Sequence, residues 1–259
     1  MSSATEGQLL AFTYGSAKKR KNAITSSIMG VVPAVIIAFF RPLSWEQWLL
    51  GFLIGLVWAN GFEYVYHRWL LHSPFSSLSK GHALHHITAD TPEAAEHTTF
   101  GQSPLYVVAL FVINGVPGVT GETLLRLGVL PGILLGWTVY LIALEEIHWR
   151  FHLGGWLPPS LREARIYHLA HHDIAGGRYN VFLPLFDFLF ATIKPPMAEI
   201  RIADGAAHAP AATMLKPGWA NQLRELAFLG WALLLVLDYH FLYSRKLVAA
   251  ARSQVIENK

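Results

Sequence analysis

Ten histidines in four short boxes constrain this chain more than any other feature, because each box lies just after an apolar run or in the polar loop that follows one. The boxes hold His67 and His72; His82, His85 and His86; His148 and His152; and His168, His171 and His172. A helix advances about 100° per residue, so each His-x-x-His-His box presents three imidazoles from one face to one point, and His148 and His152, at i and i+4, share a face. His67 and His72 are splayed by about 140° on an ideal helix. They converge only if His72 lies beyond the helix end, which Ser73-Pro74 favours because a residue before proline is pushed out of the α region. Two such boxes in one chain point to a metal site rather than to chance clustering. His97, His208 and His240 stand alone and read as surface histidines.

What surrounds the boxes is membrane-like. Of the 259 residues 53% are hydrophobic and only 14% charged, which is too apolar for an ordinary soluble domain. The net charge of +3 bears on topology rather than on nucleic-acid binding. Residues 1–22 are polar and end in Lys18-Lys19-Arg20-Lys21, just before the apolar stretch Ala23 to Phe40. Neither the short leader nor the small-residue cleavage site of a signal peptide is evident, so this reads as a retained span with a cytoplasmic N-terminus, ended by Arg41-Pro42. Trp45 to Tyr66 returns the chain to the cytoplasm at His67. Pro104 to Thr120, broken by Gly115, Pro117 and Gly118, and Pro131 to Ile147 form a second excursion, with Arg126 the only basic residue of its turn. An even number of crossings then puts all four boxes on one face, outside the hydrocarbon.

The expected fold is all-α: about four transmembrane helices in two hairpins, with a cytosolic histidine-rich helical cap. The expected divisions are a polar N-terminal segment, 1–22; a membrane domain with the histidine cap, 23–194; and a loop with a C-terminal apolar helix and basic tail, 195–259. Leu226 to Leu237 is short for a span, so residues 226–243 are read as interfacial or as a fifth helix.

The chain has no cysteine, which excludes disulfides, thiolate ligands, iron-sulfur clusters and a thiol nucleophile. Imidazole suits iron, zinc and copper, and ten candidate ligands are enough for two ions. Zinc implies hydrolysis by an activated water; iron implies dioxygen chemistry, which a site opening from a bilayer favours. Glu145-x-x-His148 is one i, i+3 pair of the kind used by ferritin-like carboxylate bundles, but those need a second pair and two further glutamates. A heme carrier or metal transporter would place histidines inside its spans, and these spans lack them. The alternatives are a histidine-rich zinc hydrolase, since imidazole binds both metals, or a metal- or heme-binding membrane protein without oxygenase activity.

The boxes, their order relative to the apolar runs, and the segment Tyr179 to Thr192 after the last box resemble the fatty acid hydroxylase/sterol desaturase superfamily of membrane di-iron enzymes. The similarity covers His67 to Thr192. It implies two irons in a cytosolic cap, using O2 to hydroxylate or desaturate a lipid such as a fatty acyl chain or sterol, in lipid biosynthesis. His67, His72, His82, His85, His86, His148, His152, His168, His171 and His172 would be the ligands, with His152, near Gly154-Gly155, either a ligand or a support for one. Zinc could replace iron in purified protein. Without a cytochrome-b5-like module in the chain, electrons would come from an NAD(P)H-linked donor through a separate ferredoxin or cytochrome b5 type protein. The partners implied are thus membrane, lipid and electron carrier, in a bacterial inner membrane or the endoplasmic reticulum. Glu63 lies one turn before His67, Glu145 and Glu146 precede His148, Asp173 follows His172, and Asn180 comes eight residues later. Each is placed to accept a ring N–H and fix a histidine tautomer; Glu63 and Glu145 would equally suit helix-end charges at headgroup level, and Asn180 and Asp187 turn or cap residues.

Overall fold

Among the described residues four helices are long and apolar enough to cross a membrane, and they form the body of this multi-pass membrane protein. The computed structural model describes residues 3–73, 77–99, 103–173 and 176–193. The C-terminal helix expected within 226–243, the loop 195–218, His208 and His240 lie outside the described residues.

Helix α1, Ser3–Phe40, runs without a break through the expected boundary at residue 22. Its basic stretch stays helical because it has partners on neighbouring helices. Lys19 forms an ion pair with Glu146 at 2.5 Å, Asn22 donates to Glu145 at 2.8 Å, and Lys18 donates to the Glu96 carbonyl at 3.0 Å. Helix α2, Trp45–Val65, starts at a capping box in which the Ser44 hydroxyl accepts from the Gln47 N–H and the Gln47 side chain accepts from the Ser44 N–H. It continues as one π-helical turn, Tyr66–Leu71. Two short helices follow, α3 (Ser77–Thr88) and α4 (Ala94–His97).

Helix α5, Pro104–Leu125, corrects the sequence reading, which breaks this run at Gly115, Pro117 and Gly118. Pro117 sits inside a continuous helix, as apolar spans tolerate. The helix ends at Arg126 in the left-handed conformation (φ 53°), and the Glu122 carboxylate accepts from Gly128 N–H (2.8 Å) and Val129 N–H (3.1 Å) to turn the chain into α6. Helix α6, Leu130–Leu153, extends beyond the apolar run, so His148 and His152 are part of the helix itself. Helix α7, Pro159–Asp173, and the short α8, Leu185–Leu189, complete the described elements.

Helix α6 is the centre. It runs antiparallel to α1, with Lys19 opposite Glu146 and Asn22 opposite Glu145, and parallel to α2, with Gly51 opposite Gly132 and Asn60 bonded to Tyr140. The α2–α6 contact is made close by small residues: Gly51 lies against Gly132, Gly55 against the Ile133 backbone and Gly136 against the Phe52 carbonyl, and a Cβ on Gly132 would stand 2.8 Å from the Phe52 nitrogen. Because the two helices are parallel and in register, their C-terminal ends bring His67–His72 and His148–His152 to the same level. Apolar side chains such as Val35, Leu53, Ile113 and Val116 remain exposed on the outer faces, as lipid contact requires.

Candidate metal centre

All ten boxed histidines meet at the C-terminal ends of α2 and α6, in two groups. His67, His72, His82, His86 and His171 form one; His85, His148, His152, His168 and His172 form the other. Within each group the nearest ring nitrogens lie within 4.8 Å of one another. The groups adjoin: the rings of His86 and His172 stack with centroids 4.2 Å apart.

Neither His-x-x-His-His box aims at one point, as the sequence reading has it. On a helix i+4 lies about 40° to one side of i and i+3 about 60° to the other, so i+3 and i+4 diverge by about 100°. Each box is therefore divided. On α3, His82 and His86 enter the first group and His85 the second; on α7, His168 and His172 enter the second and His171 the first. Each group thus takes an i, i+4 pair from one box helix, a single i+3 histidine from the other, and a pair from the end of α2 or α6.

The π-helical turn solves the five-residue spacing of His67 and His72. The His72 N–H donates to the His67 carbonyl at 3.3 Å, an i→i+5 bond, and the rings stack at 5.1 Å and 26°. More residues per turn bring His72 back over His67. His72 does lie just past the helix end, as Ser73-Pro74 suggests.

Three imidazoles are oriented by backbone carbonyls. His67 Nδ1 donates to Tyr179 O, His148 Nδ1 to Thr98 O at 2.8 Å, and His171 Nδ1 to Gly177 O at 2.7 Å. With the proton held at Nδ1, the Nε2 lone pair faces the centre of the group. Burial, reinforced by neighbouring histidines, pushes His82, His85, His168 and His171 well below the usual histidine range and lowers His86 and His172 to about 2; burial alone lowers His72 to about 4. These rings are held neutral, the form that binds a metal.

The donor set fits metal ions. Among the described residues, both ring nitrogens of buried His85 and of His172, and Nδ1 of His168, have no hydrogen-bond partner, which is costly for a buried polar atom unless something else is bound there. Neighbouring Nε2 atoms stand 3.0 Å apart in the pairs His67–His82, His72–His171 and His152–His168. Nitrogens about 2.1 Å from one ion stand about 3.0 Å apart at right angles and about 3.4 Å apart in a tetrahedron. The clusters are consistent with a two-metal site of the di-iron type, and the donor set would also accept zinc.

The sequence profile of the fatty acid hydroxylase family matches residues 52–192, which takes in every box. The chain belongs to the fatty acid hydroxylase family. Like other members of the fatty acid hydroxylase/sterol desaturase group, it carries the histidine-rich di-iron-type motif. Among solved structures it is similar to full-length scs7p, of which only the hydroxylase domain is visible, at 22% identity over 67% of this chain and 68% of that one, with a TM-score of 0.47. No curated protein matches.

Most of the polar residues flanking the boxes bond to other side chains and to the main chain. Glu63 accepts from Tyr140 OH at 2.5 Å, Asn180 Nδ2 at 3.0 Å and Val181 N–H at 2.8 Å. Asn180 also donates to Asn60 O at 2.9 Å, and Asp187 accepts from the N–H groups of Tyr179 (2.9 Å) and Asn180 (2.7 Å). These side chains tie the segment after α7 to α2 and α6, and so hold the Tyr179 carbonyl against His67. Glu145 accepts from Asn22, Glu146 from Lys19 and Arg150, and Asp173 is exposed at the end of α7. The tautomer-fixing acceptors are main-chain atoms of Tyr179, Thr98 and Gly177, which no side-chain pattern marks. Trp149 and Phe151 are core residues.

A cavity of about 210 Å³ opens beside the centre. It reaches His82 of the first group and His85 and His148 of the second, and its wall includes Tyr66, Leu71, Leu78 and Leu84. His97, expected as a plain surface residue, lines it too.

Proposed function

We propose that this protein is a membrane-bound di-iron oxygenase that uses O2 to hydroxylate, or desaturate, a lipid such as a fatty acyl chain or sterol in lipid biosynthesis. The observation that carries the reading is the division of ten imidazoles into two adjacent groups of five at one end of four apolar helices. In this reading His67, His72, His82, His86 and His171 hold one iron, and His85, His148, His152, His168 and His172 the other. Bound iron supplies O2 activation and hydrogen abstraction from an unactivated C–H bond. The chain's own part is to keep the imidazoles neutral by burial, aim their Nε2 atoms inward, and admit a substrate through the adjoining cavity. Hydroxylation balances as RH + O2 + 2 e⁻ + 2 H⁺ → ROH + H2O, so an NAD(P)H-linked donor must act through a ferredoxin or cytochrome b5 type partner.

Five nitrogen donors per group argue against a zinc hydrolase, since catalytic zinc uses three protein ligands and a water. The basic Lys18 to Lys21 and the shared side of the α1 start and the boxes support a cytoplasmic N-terminus and a cytosolic cap over two helical hairpins, in a bacterial inner membrane or the endoplasmic reticulum.

The test is elemental analysis of detergent-purified protein, prepared without chelators or a histidine tag, with lipid-dependent O2 consumption measured in parallel. About two irons per chain are expected. His85→Ala and His171→Ala, which strike different groups, should each lose metal and abolish turnover while the protein still inserts into membranes. No bound metal in a folded preparation, or undiminished turnover in either variant, would sink the proposal.

A further inference from the structure

The first half of α1 lies outside the family-matched segment, yet it forms part of the wall of the cavity beside the metal centre. Gly15 makes this possible. Its Cα side is so close to α4 that a Cβ there would stand 2.7 Å from the Ala95 carbonyl carbon and 3.0 Å from the Trp149 ring. That close approach turns Tyr14 and Lys18, at i and i+4 on one helix face, into the cavity wall. Lys18 Nζ lies 4.9 Å from the Tyr14 ring centroid and donates to the Glu96 carbonyl at 3.0 Å. An ammonium has three donors, so this bond leaves capacity for an anion. Lys18 is also distinct from its neighbour Lys19, which is engaged by Glu146 and lies over the Trp149 ring.

We infer that Lys18 is a specificity-determining residue: it anchors the anionic group, a carboxylate or phosphate, of an amphipathic substrate whose chain enters the cavity toward His82, His85 and His148. The inference rests on the oxygenase reading above. The wall of one cavity thus holds a cation, apolar side chains such as Leu78 and Leu84, and histidines of both groups, which are the parts an anionic lipid needs. Glu96 lines the same cavity and its negative charge acts on Lys18, so it competes with an incoming anion and tunes the site down.

The test uses photolabelling, which requires neither O2 nor a reductant. The full chain in phosphatidylcholine nanodiscs is photolysed with a diazirine-bearing stearic acid, and the adducts are mapped by mass spectrometry. Adducts are expected on α1 around Tyr14 and on α3, displaced by excess stearate or stearyl phosphate but not by stearyl alcohol. Displacement by only one of the two anions identifies which acid is held. Lys18→Met should cut labelling about fivefold, the size of one partly exposed charge-assisted hydrogen bond, and Lys18→Arg should restore it. Glu96→Gln should raise it, a gain that misfolding cannot mimic. Equal displacement by stearyl alcohol, or labelling unchanged in both Lys18→Met and Glu96→Gln, overturns the anchor. If labelling depends on Lys18 while no lipid is oxidised, the oxygenase reading fails and the anchor stands; if lipids are oxidised and labelling ignores Lys18, the reverse holds.

Discussion

At the scale of single residues, the metal centre depends on groups that never touch it. Asn180 joins Asn60, Glu63 and Asp187 across three segments, and the chain it holds delivers the Tyr179 carbonyl to His67. Asn180→Ala removes two donated bonds and leaves buried partners unsatisfied, a loss of about 2 kcal/mol. A lowered denaturation midpoint in detergent is expected, with metal stoichiometry retained in the fraction that stays folded. Metal loss at unchanged stability would show instead that Asn180 contacts a ligand directly. The histidines themselves were legible in the sequence, because boxed spacing is a local property. Their carbonyl partners were not, since every residue offers a carbonyl and only the folded backbone selects one.

At the scale of elements, the box helices are stable only while their imidazoles stay neutral or metal-bound. In metal-free protein the buried His72, His86 and His172 titrate far below the unfolded value, at about 4, 2 and 2. Above about pH 6.5 neither state is protonated there, so no difference arises; below it the unfolded chain takes up protons that the folded one refuses. Stability of the chelator-stripped protein should therefore fall steadily as pH drops from about 6.5 toward 4. Thermal melts across that range check this, and a flat profile would contradict the burial of these rings. The α2–α6 contact makes a second prediction. Gly132→Leu has no room beside Phe52 and Gly51, so it should force the parallel helices apart, lowering both the melting temperature and the metal content. The same substitution at Gly121, where the space is open, should be near neutral.

At the scale of the whole molecule, the helix directions put the boxes and the turns after α1 and α5 at opposite ends. The chain has no cysteine, so single introduced cysteines report sidedness cleanly. With the boxes cytoplasmic, Arg41→Cys and Leu127→Cys, both exposed and both beyond the helix ends, should react with an impermeant maleimide from the non-cytoplasmic side, and exposed Arg162→Cys only after the membrane is opened. The opposite pattern would invert the proposed topology. The apolar runs and boxes by themselves determined an all-α membrane protein with a histidine-built metal site, because hydropathy and short-range spacing are properties of consecutive residues. Only the tertiary structure decided that the ten histidines divide five and five, with each His-x-x-His-His box split between the groups. Nor could sequence spacing show that a π turn aligns His67 with His72, or that the start of α1 reaches the site. Those outcomes depend on how helix faces far apart in the chain are turned toward one another, and that is set by close contacts such as Gly51 on Gly132 and Gly15 on Ala95.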